Sequence, residues 1–332
     1  MGRRVFVRIP FNEEQLGRLK ALADGYGDEM IFRHVRELPA EELAGYDAVI
    51  GNLNPECLKG GTKLSWVQLN TAGADEYAKP GILREEAVLT CSTGAYGTAI
   101  SEYMVCMLLM MMKRIPAYLQ NQKDGIWKDE GNVASPIGKR VLVVGTGNIG
   151  TEFARRVRSL GTSGDPGASG RKTVISGIRR RSGICPEGFD EIHSMEELRT
   201  EVSKADNIAL CLPAGSATFH LFDRDTLLAC KEGSYLLNVG RGNVIDNSAL
   251  LDPSVTSHFG GIWLDVCERE PLPDHDPLFS VPGLYITPHI TGNYHLDITV
   301  ENILDITMHN YRAWHGEGTY RSVVNRTLGY AG

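Results

Sequence analysis

Residues 139–160, KRVLVVGTGNIGTEFARRVRSL, constrain the fold more than any other stretch. Val141, Leu142, Val143 and Val144 form a short apolar run of the kind that makes a buried strand. Gly145-Thr146-Gly147-Asn148-Ile149-Gly150 follows at once, and a helix-period segment begins at Thr151. Each glycine has its own task. Gly145 permits the tight turn out of the strand. Gly147 lets backbone approach a pyrophosphate. Gly150 lets the helix pack closely on the sheet. Around Asn148 and Ile149 the helix start presents unpaired N–H groups and a positive dipole end to phosphates. With 37 glycines in 332 residues, GxGxxG alone carries little. Strand, motif and helix in succession point to a dinucleotide-binding turn rather than an ordinary glycine turn.

At this length two domains of ordinary size are expected. The net charge of −7 gives nucleic acid no obvious footing. Seven cysteines are scattered without a CxxC pair, which suggests free thiols in a reducing compartment. The run 104–112 is too short to span a bilayer, and MGRRVFVRIP lacks the apolar core of a signal peptide. The expectation is therefore a cytoplasmic protein with neither a membrane nor a nucleic-acid partner.

Along the chain, strands are expected at 5–7, 47–50, 66–69 and 87–90, with a helix at 13–22. Short apolar runs alternating with helical patterns imply a parallel sheet covered by helices. The loop 70–75, NTAGAD, follows a strand, where open α/β sheets place ligand loops. Residues 101–114 form a helix apolar on nearly every side. Its five methionines read as core packing ahead of an adaptable binding surface. Trp127 reads as a packing anchor ahead of a side chain reaching a substrate pocket.

Past the glycine turn, 161–172 reads GTSGDPGASGRK, a flexible loop. Asp165 stands near the distance where an acid would grip the ribose hydroxyls, but in the wrong kind of structure. The strand 173–178 follows and ends in Arg179-Arg180-Arg181. A carboxylate at that tip would repel a 2′-phosphate, whereas guanidinium pairs with it, which favours NADP over NAD. A solvated basic turn is the plainer alternative. Further strands at 207–212, 234–239, 258–264 and 285–287 each stop at polar or turn residues: Pro213, Gly240-Arg241-Gly242, Asp265 and Pro288-His289. A helix is expected at 298–311, and the tail is expected to return to the first domain.

Three residues suit hydride transfer to a 2-oxo acid: Arg241, Glu270 and His289. Singly, each also reads as a loop charge, a solvated turn or a structural histidine. Together they provide a cationic fork for a carboxylate, a proton donor for a carbonyl oxygen, and a carboxylate that orients the imidazole and raises its pKa. Asp274-His275-Asp276 imitates a metal cluster but lies between prolines, and hydride transfer requires no metal. Cys267 reads as a filler.

The blocks VLVVGTGNIG (141–150), ADNIALCLPAG (205–215), LLNVGRGNVIDNSAL (236–250), GIWLDVCEREP (261–271) and TPHITG (287–292), in this order and spacing, resemble the D-2-hydroxyacid dehydrogenases over nearly the whole chain. The resemblance implies an α/β fold of two doubly wound parallel-sheet domains. One is a flavodoxin-like substrate domain, discontinuous over 1–97 and 296–332. The other is a Rossmann NAD(P)-binding domain over 98–295, with the active site in the cleft. It implies that Arg241 binds the substrate carboxylate and polarises the ketone, that His289 is the acid/base, and that Glu270 supports it. By the same resemblance Asp265 lies near the nicotinamide amide and Pro213 lines the adenosine side. Ala72 and Gly73 hold the substrate carboxylate through backbone N–H groups. The family's usual dimer, joined through the cofactor domain, would explain the apolar helix.

The sequence departs from the family at the 161–172 insertion and at the arginine tip, which replaces a common aspartate. That tip resembles NADP-using glyoxylate/hydroxypyruvate reductases. Two other readings stay open: a dinucleotide-sensing binding protein like the C-terminal binding protein corepressors, and a phosphoglycerate dehydrogenase-like enzyme. The latter ranks lower because Leu53, Asn54 and Tyr96 bring no basic side chain to the first domain's loops.

Overall fold

The computed structural model describes residues 2–160, 172–180 and 185–331. Asp165, Arg181 and the insertion up to residue 171 lie outside the described residues. The chain divides into two compact units, Met1–Tyr96 with Tyr294–Gly332, and Gly97–Asn293.

The first unit is built on β1 (Arg4–Arg8), β2 (Glu29–Phe32), β3 (Ala48–Gly51), β4 (Trp66–Gln68) and β5 (Val88–Thr90). All neighbours pair in parallel, in the order β2-β1-β3-β4-β5. This is the flavodoxin-like order, whose switch point falls between β1 and β3. Val5, Phe6 and Val7 are buried on both faces of β1, as a sheet covered on both sides requires. The helix Glu13–Tyr26 starts on a capping box, Asn12 Oδ1 accepting from Gln15 N at 2.9 Å and Gln15 Oε1 accepting from Asn12 N at 3.0 Å. The C-terminal segment is tied in through Asn310. Its Nδ2 donates to Gln68 Oε1 at 2.7 Å in the buried core, clipping the helix Asp297–Trp314 to β4.

The second unit holds β6 (Arg140–Val144), β7 (Val174–Ile178), β8 (Glu191–His193), β9 (Asn207–Leu210), β10 (Tyr235–Asn238), β11 (Gly261–Leu264) and β12 (Leu284–Ile286). They form one parallel seven-stranded sheet in the order β12-β11-β10-β9-β6-β7-β8. Counted from β6, the first six positions run 3-2-1-4-5-6, the Rossmann order, with its switch point between β6 and β9.

The expected α/β class and the two parallel sheets are present. β2 and β8 are absent from the sequence reading. Both are edge strands, short and only partly buried, so neither carries a clean apolar run. The long apolar helix spans Gly97–Met112. It buries Met104, Met107, Leu108 and Met111, while Cys106 and Glu102 are exposed. Trp127 overturns its expected role: the side chain is fully exposed and anchors nothing. It stands beyond the helix Ile115–Lys123, in a segment with no regular secondary structure. All seven cysteines are free thiols. Among the described residues no helix is long and apolar enough to cross a membrane.

Gly150 shows how tightly this arrangement is built. A Cβ there would lie 2.1 Å from the Gly145 carbonyl oxygen and 2.9 Å from Val143 Cγ1. Gly150→Ala is expected to cost about 1–3 kcal/mol or more, as overpacking does. Urea unfolding of the purified variant measures it, and an unchanged midpoint would refute the packing argument.

Candidate active site

Because the second sheet is wholly parallel, all its strands leave through one edge. The loops along that edge carry the sequence candidates in strand order: Pro288-His289 after β12, Asp265 after β11, Gly240-Arg241 after β10, Pro213 beyond β9, the glycine turn after β6 and Arg179-Arg180 after β7. At about 4.8 Å per strand, β7 and β12 stand about 24 Å apart.

At the β6 end the three glycines have distinct surroundings. Gly145 has φ 102°, and a Cβ there would lie 2.7 Å from the Cys211 carbonyl oxygen. Gly147 would meet nothing within 4 Å, so its face is open to an approaching group. Gly150 is the close helix contact described above. The helix Asn148–Leu160 starts directly on this turn. An open glycine face beside a helix N-terminus fits a pyrophosphate. Arg179 is half-buried at the tip of β7, its N–H donating to the His193 carbonyl at 3.2 Å, and Arg180 is exposed. Pro213 is half-buried, and its carbonyl accepts from Thr218 Oγ1 at 2.9 Å.

The glycines flanking Arg241 are steric requirements. A Cβ on Gly240 would lie 2.5 Å from the Leu212 carbonyl oxygen, and one on Gly242 1.9 Å from the Cys267 carbonyl. Asn238, fully buried, braces the same turn: its Oδ1 accepts from Gly240 N and its Nδ2 donates to Arg241 O, both at 3.1 Å. Sequence reading passes over Asn238. The signal is available, a polar residue closing an apolar strand just before Gly-Arg-Gly.

His289 takes a left-handed backbone conformation with φ 52°, rare for a side chain with a Cβ. Asp265 holds it there. Buried to 2% exposure, Asp265 accepts from Thr287 Oγ1 at 2.6 Å, Ile290 N at 3.1 Å, Thr291 N at 3.2 Å and Thr291 Oγ1 at 2.5 Å. Its carbonyl also accepts from His289 N at 2.8 Å. The observed contacts of Asp265 therefore fix the histidine loop.

His289 Nδ1 lies 2.6 Å from Glu270 Oε2, and Glu270 Oε1 accepts from Cys267 N at 3.0 Å. Glu270 is thus gripped on both oxygens, which leaves Nε2 as the outward ring nitrogen. The His289 pKa is raised above the ordinary imidazole value. The Glu270 hydrogen bond is the main cause, burial opposes it, and the charges of Glu270 and Asp265 add to the rise while Arg241 lowers it. For Glu270, burial acts upward, but the His289 bond and charge, the Cys267 N–H and Arg241 together hold the carboxyl below its usual range. Arg241 is thus near enough to act electrostatically on both partners. Cys267, expected as a filler, is buried and its thiol is pushed up to about 11, chiefly by burial. Asp274-His275-Asp276 remains a loop element, with Asp276 capping the short turn Pro277–Ser280.

In the first unit, Ala72 and Gly73 are half-buried in the loop after β4. Their backbone N–H groups have no hydrogen-bond partner among the described residues. The loop is tied down at Thr71, whose Oγ1 accepts from Asn52 Nδ2 at 3.0 Å and donates to Gly73 O at 2.9 Å. Tyr96 is buried, its hydroxyl donating to the Asn70 carbonyl. Leu53 and Asn54 themselves bring no basic side chain, but other residues of this unit do. Arg8, His34 and Arg36 line one cavity with Leu53 and Asn54. They come from the ends of β1 and β2, away in sequence from the loops considered.

The family model for the D-isomer specific 2-hydroxyacid dehydrogenase NAD binding domain matches residues 105–291. The chain belongs to the D-isomer specific 2-hydroxyacid dehydrogenases. It is 32% identical over 224 residues to the (S)-sulfolactate dehydrogenase of Chromohalobacter salexigens, covering 64% of this chain and 67% of that one. It is 27% identical over 271 residues to the glyoxylate reductase of Thermofilum pendens, covering 80% and 75%. A solved D-isomer specific 2-hydroxyacid dehydrogenase family protein from Aeromonas salmonicida superposes with a TM-score of 0.83 at 28% identity, over 98% of this chain and 100% of that one. The protein is accordingly an NAD(P)-linked oxidoreductase of 2-hydroxy acids.

The Glu270 contact sets the direction of a titration test. Glu270→Gln removes the acceptor charge that favours imidazolium, so the His289 pKa falls. Histidine ring resonances followed by NMR against pH read it. A titration unmoved by the substitution would show that Glu270 does not control this imidazole.

Proposed function

We propose that the protein reduces a small 2-oxo acid to the D-2-hydroxy acid, using NADPH in preference to NADH. The observation that carries this reading is the His289–Glu270 pair at 2.6 Å with Arg241 acting on both. When bound, the nicotinamide supplies the hydride to the carbonyl carbon. His289 gives its Nε2 proton to the oxygen as charge develops there, and Glu270 keeps the ring oriented and charged. Arg241 pairs with the substrate carboxylate and polarises the ketone. The N–H groups of Ala72 and Gly73, in the first unit, are assigned to a substrate carboxylate. In oxidation the neutral imidazole takes the proton back.

Gly145, Gly147 and Gly150, with the helix start at Asn148 and Ile149, are assigned to the pyrophosphate. Pro213 is assigned to the adenosine side, and Asp265 to the nicotinamide side through its hold on the histidine loop. Arg179 and Arg180, at the tip of β7, are assigned to a 2′-phosphate, since guanidinium pairs with phosphate. The glyoxylate reductase name of one relative agrees with a small 2-oxo acid. The reading includes a cytoplasmic homodimer joined through the second unit. Exposed Ile115, Leu119 and Ile126 and half-exposed Leu109 and Met110 support such an interface.

Reduction needs the imidazolium, so its kcat/KM holds at low pH and falls as pH rises through the raised His289 pKa. Oxidation rises through the same pKa. A panel of 2-oxo acids tested with NADPH and NADH decides the activity; tight cofactor binding without turnover would favour a dinucleotide sensor. His289→Ala is expected to lower turnover about 10²- to 10⁴-fold while the dinucleotide still binds. Wild-type turnover in that variant would remove His289 from its role. Arg179→Asp is expected to weaken NADPH more than NADH in parallel titrations, and equal losses would defeat the guanidinium argument.

A further inference from the structure

Trp263 stands in β11, fully buried. It pairs in register with Tyr285 of β12, and Leu264 pairs with Ile286. Side chains alternate along a strand, so Thr287, two positions beyond Tyr285, lies on the same face as Trp263. Ile262 and Leu264, on the opposite face of β11, belong to the apolar core that includes Leu236 and Leu284. On its own face the indole stacks with Tyr103 of the helix Gly97–Met112, ring centroids 5.7 Å apart and planes 17° from parallel. That stack sets the plane of the indole and so the direction of its N–H. All these residues belong to the second unit.

Trp263 Nε1 donates to Thr287 Oγ1 at 3.1 Å. An indole nitrogen can only donate, whereas a threonine hydroxyl both donates and accepts. Receiving the indole N–H, Oγ1 turns its own proton to its other neighbour, Asp265 Oδ1, at 2.6 Å. The chain therefore has one polarity: indole to hydroxyl to carboxylate. Hydrogen bonds in line polarise one another, and those that end on a carboxylate are among the strong ones.

The same Oδ1 accepts from Ile290 N at 3.1 Å, next to His289. Backbone closes the loop from the other side: Thr287 N donates to the Leu264 carbonyl at 2.9 Å, and His289 N to the Asp265 carbonyl at 2.8 Å. Thr287 is thus gripped by its N–H and its hydroxyl two residues before the left-handed turn at His289. A phenylalanine at 263 would also bury a ring; what tryptophan adds is the N–H.

We infer that Trp263 and Thr287 are positioning residues for the acid/base. The indole directs the Thr287 hydroxyl onto Asp265, and that bond keeps the His289 ring against Glu270. Both act through Asp265 and His289 rather than on the substrate. The kinetic consequence rests on the reductase reading; the consequence for the ring itself is read without substrate.

The test uses the full-length protein and three variants. Thr287→Val keeps the branched shape and removes the hydroxyl. With saturating NADPH and the best 2-oxo acid of the panel, it is expected to lower kcat about ten- to a hundredfold, with KM moving far less, as small misplacements of a catalytic group do. The His289 pKa, followed by NMR, is expected to fall as the ring leaves the Glu270 and Asp265 charges that raise it, Arg241 acting the other way. Trp263→Phe is expected to move both quantities in the same direction and by less. Thr287→Ser, which restores the hydroxyl, is expected to keep wild-type values. A packing role alone would shift the unfolding midpoint but neither the kcat-against-KM split nor the titration. Wild-type kcat and titration in Thr287→Val and Trp263→Phe overturn the inference while the reductase reading stands. Should Thr287→Val fail to fold, Trp263→Phe decides by the same two readouts. If the wild-type protein reduces no 2-oxo acid, the reductase reading falls by itself; the His289 titration then sustains the inference if the variants lower it and overturns it if they do not.

Discussion

Parallel pairing is the constraint from which the rest of this molecule follows. A parallel strand cannot return by a tight turn; it needs a crossover, and the crossover returns the chain to the same starting edge. All strands of a sheet then finish on one edge, and whatever follows them is displayed there in spatial order. In the second unit that order runs from the arginines after β7, through the glycine turn, to Arg241, Asp265 and His289. Residues more than sixty positions apart in sequence, such as Gly145 and Cys211, become neighbours because strand order, not chain order, sets position. The same rule places Arg8, Asn52 and Asn70 on one wall of the first unit's cavity.

Close packing then narrows what each loop can contain. Gly145, Gly150, Gly240 and Gly242 all stand where a Cβ would meet backbone well inside contact distance. Backbone is the obstacle, so a neighbouring side chain cannot relieve the clash by changing rotamer. Gly147 differs: its added Cβ would meet open space. One motif therefore joins two kinds of glycine, two fixed by the fold and one whose cost is justified only by an incoming group.

This distinction bears on how much is legible in the sequence. The α/β class and most strands can be read because buried parallel strands are continuous apolar runs. β2 and β8 escape because edge strands are half-solvated and mix polar with apolar residues. The candidates Arg241, Glu270 and His289 are readable as a spacing pattern, but their supports are not. Asn238 and Thr287 matter through hydrogen bonds made only after folding. Trp127 misleads for a general reason: a large aromatic normally lies against a core, and nothing local in its segment says that this one faces solvent. Arg8 and Arg36 look like ordinary surface charges until β1 and β2 are laid side by side.

The electrostatics at His289 are a balance rather than a single push. Glu270 favours the charged ring and Arg241 opposes it. The rise caused by Glu270 prevails over burial and Arg241. The balance holds only while the ring stays where it is. Its left-handed backbone is not self-sustaining; the Asp265 carboxylate, which takes four hydrogen bonds from the loop, holds it. Asp265, just past β11, thus fixes the backbone of the ring whose proton affinity Glu270 chiefly raises.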